Sequence, residues 1–399
     1  AGARLSGKLG TKWRIGAMNI QTAQQASTNS PATNYSVAAF QRQVFTASNI
    51  AGIFVNKWVQ DLDTNPGYNN TVFGLDYNLL SKNNKWRGKF FYHQSLNNGK
   101  SQEQGEAHAS WLMYNDIKWF AMWNHEFVGK NYNAEVGFTP RIFIRDDAVG
   151  ITYRQSYWRL EPEIKRRFYP KSKVINSYEI GLYNSTYEDT SFTINDMVNS
   201  LFGNFQFQNS ARIDWSYRMR NVLLYYPIDI TGNSGNFAAG RYLFNEARLN
   251  FQSDRRRPFF YTVGGIVGDF YSGSRTSLTA EANLRVQPKA IFSLSYRRED
   301  VNMPSPNQST VLTLIGPRVE YNFTKKWFST LFVQYNTQSE NMNINARVQY
   351  RFAPMSDLFI VFSENYLPNT TQFMGNEDFP FLSIKNRALT VKLSYWFNS

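Results

Sequence analysis

Three histidines, His93, His108 and His125, are the only imidazoles in the chain. Folding the chain back around Asn97–Gln104 brings His93 toward His108, with Glu106 and Ser110 alongside. Two imidazoles and a carboxylate could bind a metal, and a Ser/His pair could serve a hydrolase. His125 falls in the register of Trp119, Ala121 and Trp123. That register belongs against lipid or its boundary, so a three-histidine site is not expected. The plainer reading, histidines placed in an aromatic belt or at a rim, is the favoured one.

A second set of side chains is charged and periodic. Successive strand residues point to opposite faces, so apolar positions fix where their neighbours point. Ala211, Ile213, Trp215 and Tyr217 on one face send Arg212, Asp214 and Arg218 to the other. The same argument sends Glu246 with Arg248, Glu281 with Arg285, Arg297, Arg318 with Glu320, and Asn345 with Arg347 and Arg351 to that face. Acids and arginines on neighbouring strands could pair as cross-strand ladders that hold an open interior in shape. The functional alternative is an arginine-lined path favouring anionic solutes.

The elements that must position these groups read as strands. Asn341–Phe352 alternates without a slip: Met342, Ile344, Ala346, Val348, Tyr350 and Phe352 on one face, and Asn341, Asn343, Asn345, Arg347, Gln349 and Arg351 on the other. A helix would mix the two sets. Breaks rich in Pro, Gly, Asn and Asp recur along the chain, short and long by turns. Gly10-Thr11, Ala47–Asn49, Asn83-Asn84 and Asn115–Ile117 read as tight. Thr22–Thr33, Gln60–Pro66, Asn97–Gln104, Pro227–Gly240, Glu299–Gln308 and Leu367–Lys385 read as loops. The stretch Asn131–Phe168 fits two short strands or one long folded loop.

Counted this way, the chain holds about 20 to 24 strands, each near the roughly ten residues that cross a bilayer when tilted. The expected fold is all-β, a large antiparallel transmembrane β-barrel with short periplasmic turns and long extracellular loops. In that arrangement the first and last strands run the same way, which makes the count odd. Closed bacterial barrels usually have an even count, so at least one further upstream strand is expected. Leu389, Val391, Leu393, Tyr395 and Phe397 alternate in a final strand, resembling the C-terminal signal by which outer-membrane barrels are recognised for insertion.

Composition agrees. The 399 residues contain no cysteine, 32 Phe, 24 Tyr and 10 Trp, and Tyr and Trp favour membrane–water boundaries. No apolar run of about 18 residues is present, which excludes a transmembrane helix and says nothing against a barrel. The net charge of +13 is scattered along alternating strands, which argues against a nucleic-acid partner. No glycine-rich phosphate loop, nucleophile elbow or metal-protease motif appears, so neither a cofactor nor a metal is expected. Gly264, Gly265 and Gly268 lie within a strand and imply a bend or a close approach. The Arg255-Arg256-Arg257 run reads as a solvated or lipid-phosphate-facing anchor.

Several phrases resemble one family: G-A-R-L-S-G-K-L-G and W-R-I-G near the start, N-A-E-V-G-F-T-P-R at Asn133–Arg141, and L-F-V-Q-Y-N at Leu331–Asn336, followed by N-A-R and S-D-L-F-I-V-F. They are similar to the C-terminal barrel of Bacteroidota outer-membrane proteins that carry an N-terminal domain like the family-nine carbohydrate-binding module. The resemblance implies one barrel domain over residues 1–399, with such a module upstream. It supplies no reaction and no catalytic residues. The leading expectation is therefore an integral protein of the Gram-negative outer membrane, a non-catalytic channel, transporter or scaffold. Its partners would be outer-membrane lipid and lipopolysaccharide, with other outer-membrane or periplasmic proteins. The alternatives are an outer-membrane hydrolase and a soluble carbohydrate-binding β-sandwich.

Overall fold

The alternation that marks Asn341–Phe352 recurs around one sheet. The computed structural model describes residues 1–25, 30–60, 67–98, 101–139, 141–146, 149–228, 237–305, 307, 309–338, 341–367 and 383–396. The first eight strands are β1 (Gly2–Leu9), β2 (Trp13–Thr22), β3 (Ala32–Val44), β4 (Ser48–Gln60), β5 (Tyr68–Leu80), β6 (Trp86–Asn97), β7 (Glu106–Asn115) and β8 (Trp119–Val128). Four short ones follow: β9 (Phe143–Asp146), β10 (Ile151–Arg154), β11 (Tyr157–Leu160) and β12 (Glu163–Phe168). Then come β13 (Ile175–Glu188), β14 (Ile194–Phe207), β15 (Arg212–Leu224), β16 (Gly240–Gln252), β17 (Phe259–Phe270) and β18 (Gly273–Val286). The last six are β19 (Ala290–Asn302), β20 (Thr310–Asn322), β21 (Trp327–Asn336), β22 (Asn341–Ala353), β23 (Ser356–Leu367) and β24 (Ser383–Ser394).

Apart from β9 and β10, which form a separate hairpin, and β11 and β12, which do not pair with each other, the strands of the sheet pair antiparallel in chain order. β11 and β12 both lie between β8 and β13. They are one stave interrupted at Glu161-Pro162, because proline has no N–H to give the ladder. The Asn131–Phe168 region thus holds four short strands, where the sequence suggested two strands or a single loop. The result is a large antiparallel β-barrel wall with its apolar side outward.

Cross-strand partners share a face, so the register fixes both sides of the wall. Leu249, Val263, Leu278, Leu294, Leu331 and Leu393 point outward, and each is more than a third exposed. Aromatic side chains gather outward at the rim of short turns. Trp13 packs with Phe40 and the Arg42 guanidinium, Trp86 with Tyr114, and Trp327 stacks on Tyr350 at 4.4 Å. Trp119 receives Arg166 at 5.2 Å. A second outward cluster, Phe127 with Trp158, lies eight residues along β8. That is about 26 Å of strand, the scale of a barrel's apolar band.

Turn chemistry sets the short rim. Gly10 takes φ +61 between β1 and β2. In the β7–β8 turn the Asp116 carboxylate accepts from the Trp119 and Lys118 amides at 2.7 and 2.8 Å, and from the Tyr114 hydroxyl. The Trp119 amide, the Tyr114 hydroxyl and the Lys118 amide hold its carboxyl down at about 2. The opposite rim is less uniform than the alternating pattern implied. β13–β14, β17–β18 and β21–β22 are joined tightly there, while longer segments join other pairs. Most of Leu367–Lys385, and Phe397 of the terminal signal, lie outside the described residues, as do parts of the other long loops.

The packed apolar core is small and lies inside. Val72, Ala107, Val128 and Tyr157 on the inner face close over Tyr132 and Ile142. The latter two belong to the segment after β8, which turns inward across the wall.

Candidate functional site

The residues read as inward from alternation share one face. Arg212, Asp214, Glu246, Arg248, Glu281, Arg285, Arg297, Arg318, Glu320, Asn345, Arg347 and Arg351 are linked to it by continuous cross-strand register from β15 to β22. Most of their ion pairs run along a strand, from i to i+2. These include Arg212–Asp214 at 2.6 Å, Arg248–Glu246 at 2.6 Å and Arg318–Glu320 at 2.5 Å. The cross-strand ladder expected from sequence is therefore largely replaced. Same-face neighbours two residues apart are about 6.6 Å apart along a strand, and a long guanidinium folds back over that distance. Arg351 does reach across, to Asp357 at 3.0 Å. Glu281 accepts from Asn283 at 2.9 Å, and Arg285 packs on Phe260. Arg347 is exposed on β22, and no ion pair to it is found among the described residues.

A further departure from the along-strand pattern is Glu246, whose partners come from three strands. Its side chain is 1% exposed and lies among four guanidiniums. Arg248 stands at 2.6 Å and Arg275 at 2.5 Å, with Arg218 and Arg220 each at 3.8 Å. Four cations against one anion leave a local surplus of three positive charges. Gly268 makes the arrangement possible. It sits in register between Glu246 and Arg275, and a Cβ there would strike the Asn245 carbonyl and the Glu246 backbone. With no side chain at that position, Arg275 crosses the middle strand to reach a carboxylate two strands away. The Nε atoms of Arg220 and Arg275 are buried with no hydrogen-bond partner.

Beside this cluster is a cavity of about 630 Å³. Lys165, Arg212, Arg218, Arg248 and Arg297 line it, with Glu179 and Asp214. Five cations against two acids again leave an excess of three. Ser277, Thr279 and Asn250 supply hydroxyl and amide groups to the same lining. Such a surface can attract, orient and release an anion, because guanidinium forks match carboxylate and phosphate oxygens. Glu299 extends it, accepting from Arg297 at 2.6 Å and Ser277 at 3.1 Å.

Alternation did not single out Arg220, Arg275, Glu299 or Lys165. The signal was available for three of them. Arg220, Arg275 and Glu299 keep the parity of Arg218, Glu281 and Arg297, so the same register extended along each strand reaches them. Lys165 lies in the interrupted stave, where no long run exists to read.

The histidine neighbourhood comes apart. Gly74 pairs with His93 and Tyr92 with His108, so His93 faces inward while His108, Ser110 and Glu106 face outward. Neighbouring residues on one strand cannot share a face. His93 bonds Asp76 at 2.9 Å. His108 stacks among Tyr92, His125, Phe127 and Trp158. Ser110 does contact His125, at 3.1 Å, yet none of the hydrogen bonds found brings a carboxylate to that imidazole. Among the described residues, no cluster of three histidines or acids could hold a metal ion.

The inward segment forms the other part of the interior. Asn133 donates its amide to Ser95 Oγ at 3.0 Å, and its carbonyl accepts from Asn70 at 2.8 Å. Lys57 pairs with Glu135 at 2.8 Å, and Tyr68 donates to the same carboxylate. Burial pushes the Glu135 carboxyl up, but Lys57, Tyr68 and Asn133 outweigh it and hold it below the usual glutamate value. Farther along, Arg141 lies over the Tyr187 ring at 4.0 Å and pairs with Asp196 at 2.9 Å. The segment therefore bridges from β4–β6 to β13–β14 across the inner face. It contains the N-A-E-V-G-F-T-P-R phrase.

No protein-family model matches the chain, and no curated protein matches it. Among solved structures, the chain is similar to the ferric-catecholate import receptor Fiu from E. coli K12 in its open form, with a TM-score of 0.42 and 7% identity. That match covers 91% of this chain and 69% of the receptor chain.

Proposed function

We propose that the protein is an integral β-barrel of the outer membrane whose interior admits anionic solutes. The outward apolar face supports the membrane reading, since a water-soluble protein rarely exposes more than a few hundred Å² of contiguous apolar surface. Lipid and lipopolysaccharide would contact that face. The observation that carries the anionic preference is the guanidinium cluster around Glu246, with its cation surplus turned toward the adjoining cavity. Cations fixed in a low-dielectric wall raise the local concentration of anions and lower their entry barrier.

Reversal potentials under a salt gradient across a planar bilayer test this reading. The native protein is expected to conduct with anion preference. Arg212→Gln and Arg297→Gln each remove a partly exposed cation from the cavity lining, so both should move the reversal potential toward zero. A cation-selective pore would sink the proposal. The inward segment pinned at Lys57, Asn70 and Ser95 supports a second reading. In that case the interior is closed and the barrel acts as a scaffold for surface or periplasmic partners, and the bilayer stays silent.

A further inference from the structure

We infer that one additional antiparallel strand of the same polypeptide, lying upstream of Ala1, fills a seam between β1 and β24. The argument begins with parity. There are eight staves from β1 to β8, one made of β11 and β12, and twelve from β13 to β24. In an antiparallel sheet of twenty-one staves the two edge strands run the same way. Here both run from the long-loop rim to the short-turn rim, so they cannot close on each other with the pairing used everywhere else in the wall. Among the described residues no hydrogen bond joins β1 to β24. All eight residues of β1 are exposed, as are ten of the twelve in β24.

Two unpaired edges are untenable in hydrocarbon, which has no water to satisfy backbone N–H and C=O groups. This step rests on the membrane reading above. That reading also excludes a second copy of the chain as the occupant. Copies inserted with one orientation present β1 and β24 in the same sense, so their edges would also meet parallel. A strand running from the turn rim to the loop rim fits against both edges.

The flanking side chains state its chemistry. Outward, Leu5 on β1 and Val391 on β24 require apolar residues at alternate positions. Inward, Arg4 and Lys8 on one edge and Lys392 on the other show no ion pair among the described residues, so an acidic side chain fits between them. The strand must end at the loop rim, where Ala1 already pairs with Gln21 at 2.8 Å. Neighbouring staves throughout this wall follow one another in the chain. One more hairpin ahead of β1 continues that order with little loop-closure entropy.

Cross-linking in the natural full-length protein, kept in its native membrane, tests the seam. Residues 1–399 contain no cysteine, so Leu5→Cys can be combined in turn with Leu389→Cys, Val391→Cys and Leu393→Cys. An intervening strand sets the edges about 10 Å apart, beyond the roughly 7 Å limit for a disulfide. At least one pair should then join through a bismaleimide of about 10 Å span, and none should oxidise to a disulfide. A disulfide means direct closure and overturns the inference, and so does failure of every pair with both reagents. The source of the strand is read by placing a photoreactive benzoylphenylalanine at Leu5. The expected adduct is intramolecular, to a peptide upstream of Ala1. An adduct of higher mass, or none, overturns the same-chain assignment. Conductance enters neither readout, so the seam and the anion path stand or fall separately.

Discussion

Glu246 carries the most concentrated electrostatics in the wall, and its role is decided by what surrounds it. A buried carboxylate among four guanidiniums neutralises part of a repulsive cluster, and removing it leaves cations facing one another in a low-dielectric setting. Glu246→Gln is therefore expected to lower stability by about 3 kcal/mol, read as a shift in the urea midpoint of protein refolded into lipid vesicles. Gly268→Leu should fall in the same range, because its side chain would displace Arg275 from the carboxylate. Native-like midpoints for both variants would show that the cluster contributes nothing to holding the wall. Alternation alone indicated that Glu246 and Arg248 face inward. It gave no sign that Arg275 joins them across a glycine, since that contact depends on register between strands nearly thirty residues apart.

The segment after β8 is the element on which the interior's openness turns. Its apolar Tyr132 and Ile142 face the inner wall, and its backbone at Asn133 is met by Asn70 and Ser95. The latch at Glu135 is pH-dependent with a definite sign. Because the folded carboxyl titrates below the usual glutamate value, the stabilisation it gives is fully present above that value. It is lost as pH falls through the lowered one. Acidification below the usual glutamate range should therefore raise single-channel conductance or open-channel noise, and Glu135→Gln should give the same effect at neutral pH. Unchanged traces under both conditions would remove the segment from any gating role. Sequence left this element open, since its short strands and scattered charges carry no period long enough to read. Its position inside the wall follows from contacts with β4–β6 and β13–β14, all distant in the chain.

For the whole molecule, the two faces of the wall should respond oppositely to the same substitution. Leu331→Arg places a charge on the outward face and is expected to cost about 2–4 kcal/mol near the midplane. Thr330→Arg, one residue away, points inward in register with Glu320 and should change the urea midpoint little. Equal effects would contradict a lipid-facing exterior. The strand periodicity, the all-β class, the inward and outward sets and the odd count of staves were all determined by sequence, because strand side chains alternate strictly and turn chemistry is local. Only the tertiary structure decided how the inner charges group, which face each histidine occupies and where the middle segment lies. It also decided that the outer edges of β1 and β24 meet no partner among the described residues. The physical reason is the same throughout: a strand's own sequence sets which way its side chains point, whereas the neighbours they meet depend on register and closure, which no single strand encodes.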